Sequence, residues 1–67
     1  MINLTINGTS RTFPSTLNIA ELIEQLGYTG KRIALERNGE IVPRSTYATV
    51  QLADGDSLEV VVAVGGG

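Results

Sequence analysis

Ile2, Leu4 and Ile6 alternate with Asn3 and Thr5, the two-residue period of a strand with one buried face. Asn7-Gly8 follows, the pair best suited to the positive φ angles of a tight hairpin, and Thr9 to Phe13 reads as the returning strand. Pro14-Ser15-Thr16 breaks the pattern, and the period then changes. Ile19, Leu22, Ile23 and Leu26 form one apolar stripe at helical spacing, with Glu21, Glu24 and Gln25 turned away. Asn18 with Glu21 three residues on predicts a capping box, Leu17 and Leu22 occupy the staple positions around it, and Gly27 offers a C-terminal cap.

Beyond Tyr28-Thr29-Gly30-Lys31 the strand signal returns. Arg32 to Arg37 reads as a strand, Asn38-Gly39 as a second hairpin turn, and Glu40-Ile41-Val42 as a short partner stopped by Pro43. Arg44 to Thr49 is irregular with room for one helical turn. Val50-Gln51-Leu52 alternates weakly, Asp54-Gly55-Asp56 is a turn, and Ser57 to Val64 is the last and longest strand. The order ββαβββ predicts an α+β roll in which a mixed sheet grasps one helix, with a right-handed crossover setting the last strand parallel to the first. Leu58, Val60, Val62 and Val64 are expected to face the helix, and Glu59, Val61 and Ala63 the open side.

At 67 residues the chain is close to the smallest size at which one core folds unaided, so apolar positions are committed to structure and little room is left for an active site. It has no Cys and no His, which removes disulfides, thiol chemistry and the usual metal ligands. The net charge is −2 and the five basic residues are spread along the sequence, a poor basis for tracking phosphates, so no nucleic-acid partner is expected. No apolar run approaches a membrane span, and Met1-Ile2-Asn3-Leu4 has no signal-peptide character. A cytoplasmic location without membrane association is the expectation.

The strongest candidate site is the end of the sequence. Gly65, Gly66 and Gly67 follow directly on Val60-Val61-Val62-Ala63-Val64, so residues 1–64 read as one domain and 65–67 as a flexible tail. Glycine has no Cβ to clash in a narrow passage, and three extended residues reach about 10 Å. A partner's active site is therefore expected to engage the Gly67 carboxylate while the folded body stays outside. The chemistry open to such a group is acyl activation, in which the carboxylate attacks the α-phosphorus of a nucleotide, pyrophosphate leaves, and the acyl adenylate accepts a nucleophile. Positioning and electrostatic stabilisation belong to the enzyme that binds ATP and Mg²⁺, so this chain is a substrate rather than a catalyst. Val61 and Ala63, with Ala34, form a candidate partner patch. Arg32, Arg37 and Arg44 are a weaker one for an acidic enzyme surface, and Glu36, Glu40, Asp54 and Asp56 carry no assigned chemistry.

Several segments together resemble the ubiquitin-like sulfur carriers, most closely the branch that serves thiamin (thiazole) biosynthesis. They are Asn7-Gly8, Leu17-Asn18-Ile19-Ala20-Glu21-Leu22, the stretch from Ala34 through Asn38-Gly39 to Pro43-Arg44, Asp54-Gly55-Asp56 and the terminal glycines. The resemblance implies a β-grasp fold. It also implies adenylation of Gly67 by an E1-like enzyme, conversion to a thiocarboxylate with sulfur drawn from cysteine through a desulfurase, and delivery of that sulfur to thiazole synthase. No cofactor is implied on the chain itself. Gly66 and Gly67 match the family's diglycine end, and Gly65 is an added tail residue. The molybdopterin-synthase small subunit shares fold and tail but is usually longer. A protein modifier joined to lysines through Gly67, and a plain interaction module, are the other readings.

Overall fold

The computed structural model describes residues 1–63. Its elements are β1 (Ile2–Ile6), β2 (Thr9–Phe13), α1 (Ile19–Gln25), β3 (Ile33–Arg37), β4 (Glu40–Ile41), a 3-10 turn (Arg44–Thr46) and β5 (Ser57–Val62). One five-stranded sheet runs in the order β2-β1-β5-β3-β4. β5 is parallel to β1, with Ile6 beside Leu58, and antiparallel to β3, with Leu35 beside Val60. This is the β-grasp arrangement, with the last strand at the centre of the sheet.

α1 has seven residues, too few to persist alone in water, so it depends on its ends and on burial. At the start, the Asn18 side chain accepts from Glu21 N–H (2.8 Å) while the Glu21 carboxylate accepts from Asn18 N–H (2.9 Å). At the end, Gly27 takes φ +83°. Gly27 N–H there reaches Glu24 C=O and Tyr28 N–H reaches Ile23 C=O, closing the last turn. Between these caps Ile19, Leu22 and Ile23 are buried against Leu4, Leu35, Leu58 and Val60 of the sheet, with Leu17, Tyr47 and Leu52 completing the core.

Element limits differ from expectation at three places. β3 starts at Ile33 rather than Arg32. Val42 lies beyond β4, though its N–H still donates to Leu35 C=O at 2.9 Å. β5 ends at Val62, although Ala63 N–H donates to Arg32 C=O at 2.8 Å and carries the ladder one bond further. Val64, expected within this strand, lies outside the described residues. Gln51 makes a single antiparallel bridge with Asn18.

The two Asn-Gly turns do more than reverse the chain. Asn7 and Asn38 both hold φ +51°, a region open to asparagine at modest cost. The Asn7 amide accepts from Val60 N–H (2.8 Å) and donates to Val60 C=O (3.1 Å). It thereby extends the β1–β5 ladder past the end of β1. The Asn38 amide accepts from Ser57 N–H (2.9 Å) and donates to an Asp56 carboxylate oxygen (3.1 Å). One turn thus clamps β5 from the β1 side and the other from the β3 side.

Candidate functional site

The place where the chain leaves β5 is built by the sheet order. Val62 lies beside Ile33 and Val61 beside Ala34, so the loop entering β3 and the segment leaving β5 share one end of the molecule. Val61 is 61% exposed, and Ala34 and Ala63 are also exposed. Alternation puts Val61 and Ala34 together on the face away from α1. Glu36 and Glu59 are direct partners further along the same two strands. Ile41, the partner of Glu36 across β4, is exposed as well, an apolar position that the sequence patterning had assigned only to a short edge strand.

Gly65, Gly66 and Gly67, the expected tail and reacting terminus, lie outside the described residues. The structure places what precedes them: a strand held on the β1 side as far as Val60 and on the β3 side as far as Ala63, with its exposed face bearing Val61.

Of the three arginines considered for a partner surface, Arg37 is corrected. Its Nε and Nη2 donate to Asp56 Oδ2 at 2.9 and 2.8 Å, so its charge is spent inside the fold. Asp56, read as an ordinary turn residue, is 7% exposed and also accepts from Ala53 N–H (2.9 Å) and Asn38 Nδ2 (3.1 Å). Burial pushes its carboxyl upward. The hydrogen bonds from Ala53, Asn38 and Arg37, together with the Arg37 charge, outweigh this and hold it below the ordinary aspartate value of 3.8. Asp54 accepts from Asn3 N–H, tying the same turn to β1. These acidic groups are structural, and the turn's short sequence had concealed it.

Arg44 lines an open groove of about 280 Å³ on the α1 side of the same end of the molecule, together with Lys31, Glu24, Ile23, Ile33 and Tyr47. Arg32 is the next residue after Lys31, exposed, and its carbonyl holds Ala63. Three of the five basic residues are therefore closer in the fold than in the sequence: Lys31 and Arg44 line one groove, and Arg32 adjoins Lys31 beside the end of β5. Sequence reasoning missed Lys31 and the groove. The only local sign was the Lys31-Arg32 pair, and the sheet order is needed to bring Arg44 to it.

Residues 4–67 match the family model of the ThiS family. The chain belongs to the ThiS family. A crystal structure of a thiamine biosynthesis protein (ThiS) from Geobacter metallireducens superposes with a TM-score of 0.83 at 33% identity, covering 98% of this chain and 100% of that one. The sulfur carrier protein ThiS of Bacillus subtilis is 38% identical over 52 residues, 78% of this chain and 79% of that protein. A thiazole synthase of Paramagnetospirillum magneticum is 46% identical over 66 residues, which is 98% of this chain and 20% of that protein. The chain thus spans about a fifth of the length of the thiazole synthase it matches. Membership of the ThiS family makes this a ubiquitin-like domain of the sulfur-carrier type. No helix among the described residues is long and apolar enough to cross a membrane.

Proposed function

We propose that this chain is a non-catalytic sulfur carrier for thiamin (thiazole) synthesis, thiocarboxylated at Gly67. The observation that carries this is the family match, which runs through the glycines to Gly67. In the first step an E1-like enzyme with ATP and Mg²⁺ activates the terminus: a carboxylate oxygen of Gly67 attacks the α-phosphorus and pyrophosphate leaves. A persulfide, carrying sulfur taken from cysteine by a desulfurase, then attacks the acyl carbon and displaces AMP, forming an acyl disulfide. A thiol cleaves its S–S bond, leaving the thiocarboxylate on the terminus and the thiol's sulfur in a new disulfide. Thiazole synthase takes the sulfur. The likeness to thiazole synthase over nearly the whole chain supports this branch over molybdopterin synthesis.

In this reading the domain contributes presentation. β3 and the Arg32 carbonyl hold the end of β5 in place up to Ala63, and Gly65 and Gly66 give a stalk without side chains to obstruct a channel. Exposed Val61, Ala63 and Ala34 offer apolar contact beside that stalk.

Intact-mass measurement after incubation with the adenylating enzyme, ATP, Mg²⁺, a persulfide donor and a thiol reductant tests the proposal. The expected product has one oxygen replaced by sulfur, and a chain lacking Gly67 gains nothing. Gly66→Ala should adenylate more slowly while its melting temperature stays unchanged. No mass change with an enzyme shown to be competent, or equal modification without Gly67, overturns the carrier function. Ladders of lysine conjugates in a lysate would point instead to a protein modifier.

A further inference from the structure

Three of the five basic residues of the chain gather where β5 ends. The topology brings this about. β3 enters the sheet beside Val62, and Arg32 C=O takes the amide of Ala63 at 2.8 Å, so the Tyr28–Lys31 loop stands next to the departing chain. That loop, α1 and the segment from Arg44 to Tyr47 enclose the 280 Å³ groove, whose walls include Ile23, Ile33 and Tyr47 and whose charged groups are Glu24, Lys31 and Arg44. Among the described residues the only ion pair is Arg37 with Asp56. Glu24 makes no ion pair with Lys31 or Arg44, so the groove's charged groups carry a net positive charge of one, and Arg32 adds a further positive charge beside them. On the far side of the sheet the paired Glu36 and Glu59 give the opposite sign.

We propose that this groove and its basic rim are a docking site for the adenylating enzyme, which meets it with an acidic segment bearing an apolar side chain at the mouth of the channel that takes the tail. The inference rests on the carrier function proposed above. Four residues, Val64 to Gly67, follow the described chain, and even fully extended they span only about 14 Å. When Gly67 is at the nucleotide, the surface touching the enzyme must lie at the base of the tail, and the groove lies there. Glycines offer few contacts, so affinity has to come from the folded body. Apolar walls supply burial, while the net positive charge supplies orientation and a faster, salt-sensitive encounter.

ATP–pyrophosphate exchange by the adenylating enzyme, followed against carrier concentration at several salt concentrations, tests the site. Lys31→Glu with Arg44→Glu should raise the KM for the carrier about tenfold, leave kcat unchanged, and flatten the salt dependence. Arg11→Glu is the control, because it reverses one charge on β2, at the opposite edge of the sheet, and should leave KM within about twofold. If the double variant does not fold, as judged by circular dichroism, Arg44→Gln should still raise KM and reduce the salt slope. An unchanged KM for the groove variants, or an equal rise with Arg11→Glu, overturns the docking site while leaving the carrier function standing. Absence of exchange with the wild-type chain overturns both.

Discussion

At its first residues β5 is held from three directions, whereas at its last residues it has ladder bonds and exposed side chains. Asp56, just before the strand, collects Arg37, Asn38 and Ala53 on one buried carboxylate, and Thr5 N–H reaches its backbone carbonyl. Ser57 is clamped by Asn38, and Val60 by Asn7. Past Val60 such side-chain clamps give way to Val61, exposed on the open face, and Ala63, bonded through its amide to Arg32. The difference separates two tasks along one strand. Polar groups that fix register and stability are gathered where the strand begins, and the other end leaves apolar and basic groups accessible.

The sharpest way to break this contrast is Asp56→Ala. It strands a partly buried Arg37 and the Ala53 amide. Because the Arg37 side chain is 29% exposed, water recovers some of the loss, and a cost of about 2–3 kcal/mol is expected. For a domain of this size, with total stability of order 3–10 kcal/mol, that loss would be plain in a urea melt. The same carboxylate sets an acid limit. Its folded pKa lies below the unfolded value of 3.8, so its contribution is whole above that value and fades as pH falls through the folded one. Asp56→Asn should remove this part of the acid dependence, and an identical acid transition in the variant would show that other groups govern it.

A middle-sized effect is expected from Asn7. Asn7→Ala loses both amide bonds to Val60 and places alanine at φ +51°, at a cost of about 2 kcal/mol. Asn7→Gly loses the same bonds without the backbone strain and should cost about 1 kcal/mol. Equal denaturation midpoints for the two would mean that the bonds, not the φ angle, account for the effect. At the open end the smallest change is expected. Val61→Ser exchanges an exposed side chain and should shift stability by less than about 0.5 kcal/mol. A larger loss would show that this end of β5 is as structurally committed as the other.

Local signals accounted for both hairpins, the capping box, the Gly27 cap and the inward face of β5, because each is decided by neighbours a few residues apart. Partners distant in sequence escaped them. Asp56 resembled any turn aspartate until the sheet brought Arg37 to it across 19 residues, and Asn7 resembled any turn asparagine until Val60 arrived from 53 residues away. Arg37 reads as a dispersed surface charge, with a partner contact the weaker alternative, for the same reason. The groove was illegible because its walls come from α1, the loop before β3 and the segment after Pro43, none of which is unusual alone.

By itself the sequence determined the kinds of elements, their order, the likeness to sulfur carriers and the glycines that end in Gly67. These depend on side-chain period, turn chemistry and the lack of Cys and His. Only the tertiary structure decided which charges are spent and which remain. The parallel crossover sets β5 between β1 and β3, burying Asp56 against Arg37 while gathering Lys31, Arg32 and Arg44 around the end of the strand. Charge acts through distance in space, and that distance exists only once the sheet has closed.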